Sequence, residues 1–170
     1  MNKKILFIIS DTGGGHRSAA KAIIESLAAS GQNVQCEMVD LLRASGLPGI
    51  RSAPELYAFF SAGHIWLHNF LFRLSNSSRF MDFASNFLYR FARGRIRQVV
   101  EKFDPDLVVV IHPLAVRPMC AYRDETQACW PVVTVVTDLV SVHASWLSNR
   151  ADLYLLPTVE SRQVAEQHGI

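Results

Sequence analysis

Short apolar runs recur along the chain and are separated by polar or glycine-containing stretches. They occupy residues 5–9, 34–39, 107–111, 132–136 and 153–156; all but the run at 34–39 are rich in Val, Ile or Leu, and the run at 5–9 is continuous. A continuous apolar run of this length is typical of a strand that is covered on both faces of a parallel sheet. The pattern therefore predicts five β-strands.

Helical periodicity separates the first two of these runs. Residues 16–30 carry apolar side chains at helical spacing, and Gly31 follows as a stop signal. Strands that alternate with helical segments predict an α/β fold with a Rossmann-like, doubly wound parallel sheet. Ligands of such sheets bind beyond the carboxyl ends of the strands, so the loops after residues 9, 111 and 136 are the candidate ligand-binding loops.

Residues 52–102 interrupt the alternation, because roughly fifty residues stand where a crossover helix needs far fewer. We interpret this segment as a helical insertion. Its first part, residues 54–72, is dense in aromatic side chains but is broken by charged and polar residues, so it is not a clean transmembrane span. Its second part is rich in arginine.

An aromatic segment beside a basic one is typical of an interfacial membrane anchor, whose apolar side chains enter the headgroup boundary while arginines attract anionic lipid. The residues predicted to contact lipid are Phe59, Phe60, Trp66, Phe70, Arg90, Arg93 and Arg97. The alternative is an ordinary amphipathic helix with a solvated arginine face and an apolar core face. The residues of that core face are Phe80, Phe83, Phe87, Leu88 and Phe91. Both interpretations hold in part if the helix packs on the sheet and the aromatic segment is more exposed.

The overall charge argues against nucleic acid as a partner. Seventeen Lys and Arg residues face fifteen Asp and Glu residues, so the chain is not a polycation. Its three cysteines form no CxxC pair, and no His, Cys or carboxylate cluster has metal-ligand spacing. We therefore expect neither a metal nor another cofactor. The apolar run at residues 5–9 is too short for a signal-peptide core, which favours a cytoplasmic location.

A glycine loop with the sequence Ser-Asp-Thr-Gly-Gly-Gly-His-Arg connects the first strand to the first helix at residues 10–17. Gly13, Gly14 and Gly15 let the backbone approach a ligand closely, but the loop matches neither the dinucleotide fingerprint nor the P-loop. His16 falls in the first helical turn, where the helix dipole opposes protonation and favours a neutral imidazole that can accept a proton. Alternatively, His16 caps the helix or bonds a neighbouring loop. For Asp11 we expect a loop-stabilising hydrogen bond.

The string at residues 10–17 and its continuation Ser-Ala-Ala-Lys-Ala-Ile at 18–23 resemble the opening of monogalactosyldiacylglycerol synthases. The loop is more loosely similar to the Gly-Gly-His loop of the N-acetylglucosaminyltransferase that completes the peptidoglycan lipid precursor. Two further blocks resemble the same synthases in order and distance. They are Val-Val-Ile-His-Pro-Leu at 109–114 and Val-Thr-Asp-Leu at 136–139, the latter followed by a His and a Trp. The resemblance runs from residue 4 to about residue 160.

This resemblance implies the GT-B architecture, in which two Rossmann-like domains face a cleft. Residues 1–170 would be its N-terminal domain, which holds the acceptor and contacts the membrane, while the nucleotide-sugar domain would lie beyond residue 170 or on a partner chain. The implied reaction is a metal-independent, inverting transfer of a hexosyl group from UDP-galactose or UDP-glucose to diacylglycerol. His16 matches the histidine proposed as the base in that family. The amides of residues 13–15 would face the donor phosphates or the acceptor head.

Other residues of the two later blocks are secondary candidates. Asp138 orients His16, binds a sugar or glycerol hydroxyl, or caps the next turn. His112 and Pro113 end a strand at the same edge, where they bind substrate or only shape the loop. For His143 and Trp146 we expect packing.

Two alternatives to an enzyme half remain open at this stage. One is a non-catalytic lipid-binding subunit whose partner chain supplies the donor site. The other is a nucleotide-binding protein of the general Rossmann type, although the expected glycine spacing is missing. If the chain is the acceptor half, it should be peripheral to the cytoplasmic side of a membrane and inactive when isolated.

Overall fold

The computed structural model describes residues 2–11, 14–44 and 78–170. Within them the strands are β1 (Lys3–Ile9), β2 (Val34–Asp40), β3 (Leu107–Val110), β4 (Val132–Val135) and β5 (Leu153–Leu155). The helices are α1 (Gly15–Ala29), α2 (Leu41–Ala44), α3 (Ser78–Phe103), α4 (Pro113–Thr126) and α5 (Val159–Gln167). All five predicted strands are confirmed, with ends that differ by one or two residues.

The strands form one parallel sheet in the order β2-β1-β3-β4-β5. The chain runs outward from β1 to β2 in one direction and then crosses back to β3 on the other side of β1. The strand order therefore reverses between β1 and β3, and a crevice at the carboxyl ends of two such strands is the usual ligand position. Ile8 pairs with Val110, so β1 and β3 end at the same level. This confirms the predicted Rossmann-like α/β fold, which is consistent with the N-terminal half of a GT-B fold.

Two apolar cores cover the two faces of the sheet. On one face, Ile5, Phe7 and Ile9 pack with Ala20 and its apolar neighbours in α1. On the other, Leu6 and Ile8 pack with residues of α3 and α4. Successive side chains of a strand point to opposite faces, so the continuous apolar sequence of β1 is explained by helices on both sides.

Residues 78–102 of the predicted insertion lie in α3, which covers the sheet as the crossover helix before β3. Its buried side includes Leu88, Ala92, Ile96 and Val99. Leu88 is buried as predicted, but three phenylalanines of the predicted core face are not, and the side chain of Phe80 is not among those described. Phe83, Phe87 and Phe91 are 73, 57 and 48% exposed.

No helix in the described ranges is long and apolar enough to cross a membrane. The aromatic residues Phe59, Phe60, Trp66 and Phe70 of the predicted lipid contact lie outside the described residues.

Candidate functional site

His16 lies at the carboxyl edge of the sheet, where the segments after β1, β3 and β4 converge. It is half-buried, and its Nδ1 atom is 3.3 Å from the hydroxyl oxygen of Thr137. Its ring meets the ring of His112 edge-on, with centroids 4.9 Å apart. The ring centroid of Trp146 lies 5.9 Å from that of His16. The three sequence blocks that carry the family resemblance therefore meet around one imidazole.

The surroundings of His16 favour its neutral form. Burial lowers its pKa below the ordinary value of 6.5, and the negative charge of Asp138 opposes part of that effect. His16 is also the second residue of α1, where the positive end of the helix dipole further disfavours protonation. At neutral pH the imidazole thus carries a free lone pair and can accept a proton. This agrees with the interpretation of His16 as a base.

Asp138 is held in place by the loop that follows it. The indole N–H of Trp146 donates a hydrogen bond of 2.9 Å to its Oδ2 atom, and the backbone N–H of His143 makes a longer contact of 3.5 Å with the same oxygen. Trp146 is only 1% exposed, so its side chain is both a core residue and a hydrogen-bond donor. The prediction that Trp146 only packs was therefore incomplete.

The rest of that loop is tied internally. The Nδ1 atom of His143 accepts a hydrogen bond from the backbone N–H of Ser145 and lies 2.7 Å from the Ser145 hydroxyl. His143 therefore shapes the loop that carries Trp146, a role that the sequence, which indicated packing, did not predict.

His112 is the residue before α4, and Pro113 is the first residue of that helix. Proline suits this position because the first helical N–H groups have no partner within the helix. The side chain of His112 is 4% exposed, and burial, with a smaller contribution from the charge of His16, lowers its pKa to about 3. At physiological pH the side chain of His112 is therefore uncharged, and it lines the site in contact with His16.

Two of the three loop glycines are described, and Gly13 lies outside the described residues. Gly14 has a φ angle of +75°, a left-handed conformation that side chains rarely adopt, and it precedes the first turn of α1. A Cβ atom placed on Gly15 would meet none of the described residues within 4 Å. Packing inside the chain therefore does not require glycine at position 15, and the space above it is open to a ligand.

Asp11 clamps the loop, as the sequence predicted. Its carboxylate accepts two hydrogen bonds from the guanidinium of Arg17, at 2.5 and 2.7 Å, and its backbone N–H donates to Asp40. The hydrogen bonds from Arg17 lower the pKa of Asp11 below its usual range. The two ends of the glycine loop are therefore fixed to each other and to the end of β2.

The three arginines predicted to contact lipid have different surroundings. Arg93 forms an ion pair with Glu125 of α4. The Tyr89 hydroxyl donates a hydrogen bond to the same carboxylate. Arg97 pairs with Glu101 one helical turn away. Arg90 is exposed and makes no ion pair with any residue in the described ranges. Arg93 therefore joins two helices, and Arg90 is the arginine best placed to meet an external anion.

Sequence reasoning missed Thr137 and the hydrogen bond from Trp146 to Asp138. Both lie in the block that suggested the family, but periodicity carries no signal for a contact between residues 16 and 137. In the part of the chain that the structure describes, no three His, Cys, Asp or Glu side chains lie close enough together to hold a metal ion.

Comparison with known proteins identifies the family. The family of monogalactosyldiacylglycerol (MGDG) synthases matches residues 16–170. Monogalactosyldiacylglycerol synthase 1 of Arabidopsis thaliana is 29% identical over 175 residues, which cover 99% of this chain and 32% of the relative. The spinach (Spinacia oleracea) synthase is 27% identical, with 99% of this chain and 33% of the relative covered.

A processive diacylglycerol beta-glucosyltransferase of Bacillus pumilus is 25% identical, over 99% of this chain and 43% of the relative. The chain thus spans about a third of the length of the plant relatives. The family match begins at His16 and includes both of the later blocks that border it. The chain therefore belongs to the monogalactosyldiacylglycerol synthase family.

Proposed function

We propose that this chain is the acceptor-binding half of an inverting hexosyltransferase that moves a hexosyl group from UDP-galactose or UDP-glucose to diacylglycerol. The observation that carries the proposal is the neutral, half-buried His16 at the meeting point of three strand ends. The names of the relatives support the acceptor and the transferred sugar, galactosyl in the plant proteins and glucosyl in the Bacillus protein. In this proposal a second domain, downstream or on a partner chain, binds most of the nucleotide sugar.

The chemistry required of His16 is removal of one proton. The acceptor hydroxyl must lose its proton as its oxygen attacks the anomeric carbon and the nucleoside diphosphate leaves. A positioned base contributes about 10²- to 10⁴-fold to such a step. His16 becomes an imidazolium as it takes the proton, and the carboxylate of Asp138 favours that charged form. Trp146 and the loop around His143 keep the carboxylate in position.

Thr137 selects the nitrogen that reacts. In the proposal the Nδ1–H group of His16 donates its hydrogen bond to the hydroxyl oxygen of Thr137, 3.3 Å away. The lone pair then lies on Nε2, on the far side of the ring. His112 borders the imidazole from the edge and, being uncharged at neutral pH, does not repel the imidazolium that forms.

The open space above Gly15 gives the substrate access to His16. The left-handed Gly14 turns the chain so that α1 begins next to this space. We assign residues 13–15 to contact with the donor phosphates or the acceptor head, because backbone N–H groups at a helix start bind such groups without a side chain. Asp138, His112 and Pro113 border the same site as further substrate contacts.

The acceptor is a lipid, so the enzyme must work at a membrane surface. We propose a peripheral attachment on the cytoplasmic side, through anionic lipids, and we retain Arg90 as a contact because it is exposed and unpaired within the described ranges. No nucleic acid, metal or other cofactor is part of this proposal.

The test compares the chain alone with the assembled enzyme, which combines this chain with the nucleotide-sugar domain of a family member. Transfer from UDP-galactose and UDP-glucose to diacylglycerol is measured by mass spectrometry of the glycolipid. We expect no product from the chain alone and product from the assembled enzyme. Robust transfer by the chain alone would overturn the division into acceptor and donor halves.

A histidine pair separates catalysis from a purely lipid-binding role. His16→Ala should abolish most transfer by the assembled enzyme, whereas His168→Ala, at the exposed end of α5, should not. Equal transfer by both variants would favour the alternative of a non-catalytic subunit.

A further inference from the structure

The first half of α3 carries an apolar surface that none of the other residues the structure describes buries. Phe83, Phe87 and Phe91 follow one another at four-residue spacing and so lie on one side of the helix. All three are exposed, and the rings of Phe87 and Phe91 are 4.8 Å apart. Leaving three such side chains exposed to water is unfavourable, because removing apolar surface from water stabilises a folded protein. We call these residues, with Arg90 between them, the phenylalanine face.

Charge indicates the chemistry of what covers the face. Arg90 is seven residues after Phe83 and three after Phe87, which places it on the same side of the helix. It is exposed and has no ion pair among the described residues, unlike Arg93 and Arg97 on the flank. An apolar strip with an unpaired cation matches a lipid surface with apolar chains and anionic headgroups.

The position of the face in the fold is set by the contacts of α3 with α4. Both helices run from the carboxyl edge of the sheet to the amino edge, and Arg93 of α3 pairs with Glu125 of α4. Phe83 is ten residues before Arg93, and Ala115 is ten residues before Glu125. Both helices rise about 1.5 Å per residue, so Phe83 lies at about the level of Ala115, within one turn of His112.

The other end of α3 agrees with this orientation. The Lys4 ammonium group donates a hydrogen bond to the carbonyl oxygen of Phe103, which places the last turn of α3 beside the start of β1. The short helix α2, which follows the carboxyl end of β2, also contacts α3. The phenylalanine face therefore begins at the edge of the sheet that carries His16.

We propose that the phenylalanine face is a membrane-docking surface, which inserts its three rings at the headgroup boundary of an anionic bilayer while Arg90 contacts lipid phosphate. The inference rests on the proposed function, since it names the surface by which the acceptor domain reaches its lipid. It replaces the earlier assignment of these rings to the core. It also brings the bilayer to the level of the proposed base, so that a lipid head need move only a short distance to reach it.

The test uses the 170-residue chain and sedimentation with vesicles of phosphatidylcholine, with or without 30 mol% phosphatidylglycerol. A triple variant, Phe83→Ser, Phe87→Ser and Phe91→Ser, should bind anionic vesicles at least tenfold more weakly than the wild type. The matched control removes three other exposed apolar side chains, Leu153→Ser, Leu155→Ser and Val159→Ser, at β5 and α5. The control should bind within about twofold of the wild type. Circular dichroism checks that every variant is folded.

Three results would overturn the inference. They are equal vesicle binding by the triple variant and the wild type, an equal loss in the control variant, and a wild type that does not bind vesicles. Sedimentation velocity without lipid tests whether a second copy of the chain binds the phenylalanine face instead. A wild type that dimerises while the triple variant stays monomeric, with no difference in vesicle binding, would assign the face to a second copy.

A detergent assay distinguishes this inference from the proposed function. With diacylglycerol dispersed in neutral detergent micelles, the triple variant of the assembled enzyme should transfer sugar at the wild-type rate, whereas with vesicles its rate should fall at least tenfold. Wild-type rates with both substrates would overturn the docking surface and leave the proposed function intact. Absence of transfer by the wild type in micelles would instead count against the proposed function.

Discussion

The carboxyl edge of the sheet and the phenylalanine face of α3 both combine aromatic rings with ionisable groups, but these groups are buried at the edge and exposed on the helix. At the edge, His112 and Trp146 are buried against His16, and burial keeps the imidazoles neutral. On α3, the phenylalanine rings and Arg90 are open to solvent. The edge is suited to one small reacting group whose proton must move, and the helix face to an extended surface.

The largest effect is expected at the buried region. In the assembled enzyme, His16→Ala should lower kcat at least 100-fold and leave the KM for the nucleotide sugar nearly unchanged, because a base acts in the transition state more than in binding. Turnover and melting temperature should be measured on one preparation. A stable variant with near-normal turnover would remove His16 from the mechanism and direct the search for a base to Asp138.

A smaller effect, about tenfold in kcat, is expected for Asp138→Asn. The carboxylate favours protonated His16, so its removal should lower the pKa of His16 further. The acid limb of the pH profile of kcat/KM should therefore move to lower pH. Trp146→Phe, which removes the donor to Asp138 and part of a buried ring, should leave the carboxylate less firmly placed near His16 and shift the limb less and in the same direction. An acid limb that stays in place or moves to higher pH would contradict the electrostatic link.

The next prediction concerns stability. The pKa of His112 is about 3 in the folded chain, against an ordinary value of 6.5, so below pH 6.5 the unfolded chain binds a proton that the folded chain does not. The free energy of unfolding should fall with pH from about 6.5 towards 3, by up to about 1.4 kcal/mol per unit from this group.

Urea unfolding of the wild type and of His112→Gln across this range measures the effect of His112. The free energy of unfolding of the wild type should decrease relative to that of the variant as the pH falls. A difference that is constant with pH would show that His112 is not the buried neutral group described.

The smallest effects are expected for substitutions of Arg90 and Arg93 in α3, which should differ in vesicle binding and in melting temperature. Arg90→Glu should weaken binding to anionic vesicles at least about fivefold, because it removes one cation near the lipid surface and adds an anion, and should leave the melting temperature unchanged. Arg93→Glu should lower the melting temperature more, because it places a carboxylate beside Glu125. Its effect on vesicle binding should be the smaller of the two. The opposite ranking would show that Arg93, and not Arg90, faces the lipid.

The sheet was predictable because each strand is an apolar run that needs cover on both faces. The position of His16 at the carboxyl edge was predictable because a glycine loop and a helix start are local features. The bond from Trp146 to Asp138 was not, because it depends on how a loop folds back over eight residues. The contact of His16 with Thr137 joins residues 121 positions apart, which no local pattern records.

The error on α3 has a physical cause. The helix carries two apolar arcs, one with the phenylalanines and one with Leu88, Ala92, Ile96 and Val99. Ranking by hydrophobic size favours the phenylalanines as core. The fold buries the second arc, whose smaller side chains allow a close approach to the sheet and α4. The different surroundings of Arg90 and Arg93 follow from the same rotation of the helix and could not be assigned without it.

The position of β1 between β2 and β3 also has a consequence for synthesis of the protein. Ile5 pairs with Leu107, so about a hundred residues must leave the ribosome before the central pairing can form. At about 5–20 residues per second, β1 stays without that neighbour for roughly 5–20 s. During that time β1 can pair only with β2, which follows it in sequence directly after α1. The N-terminal strand–helix–strand unit is therefore expected to form first and to depend most on chaperones until β3 emerges.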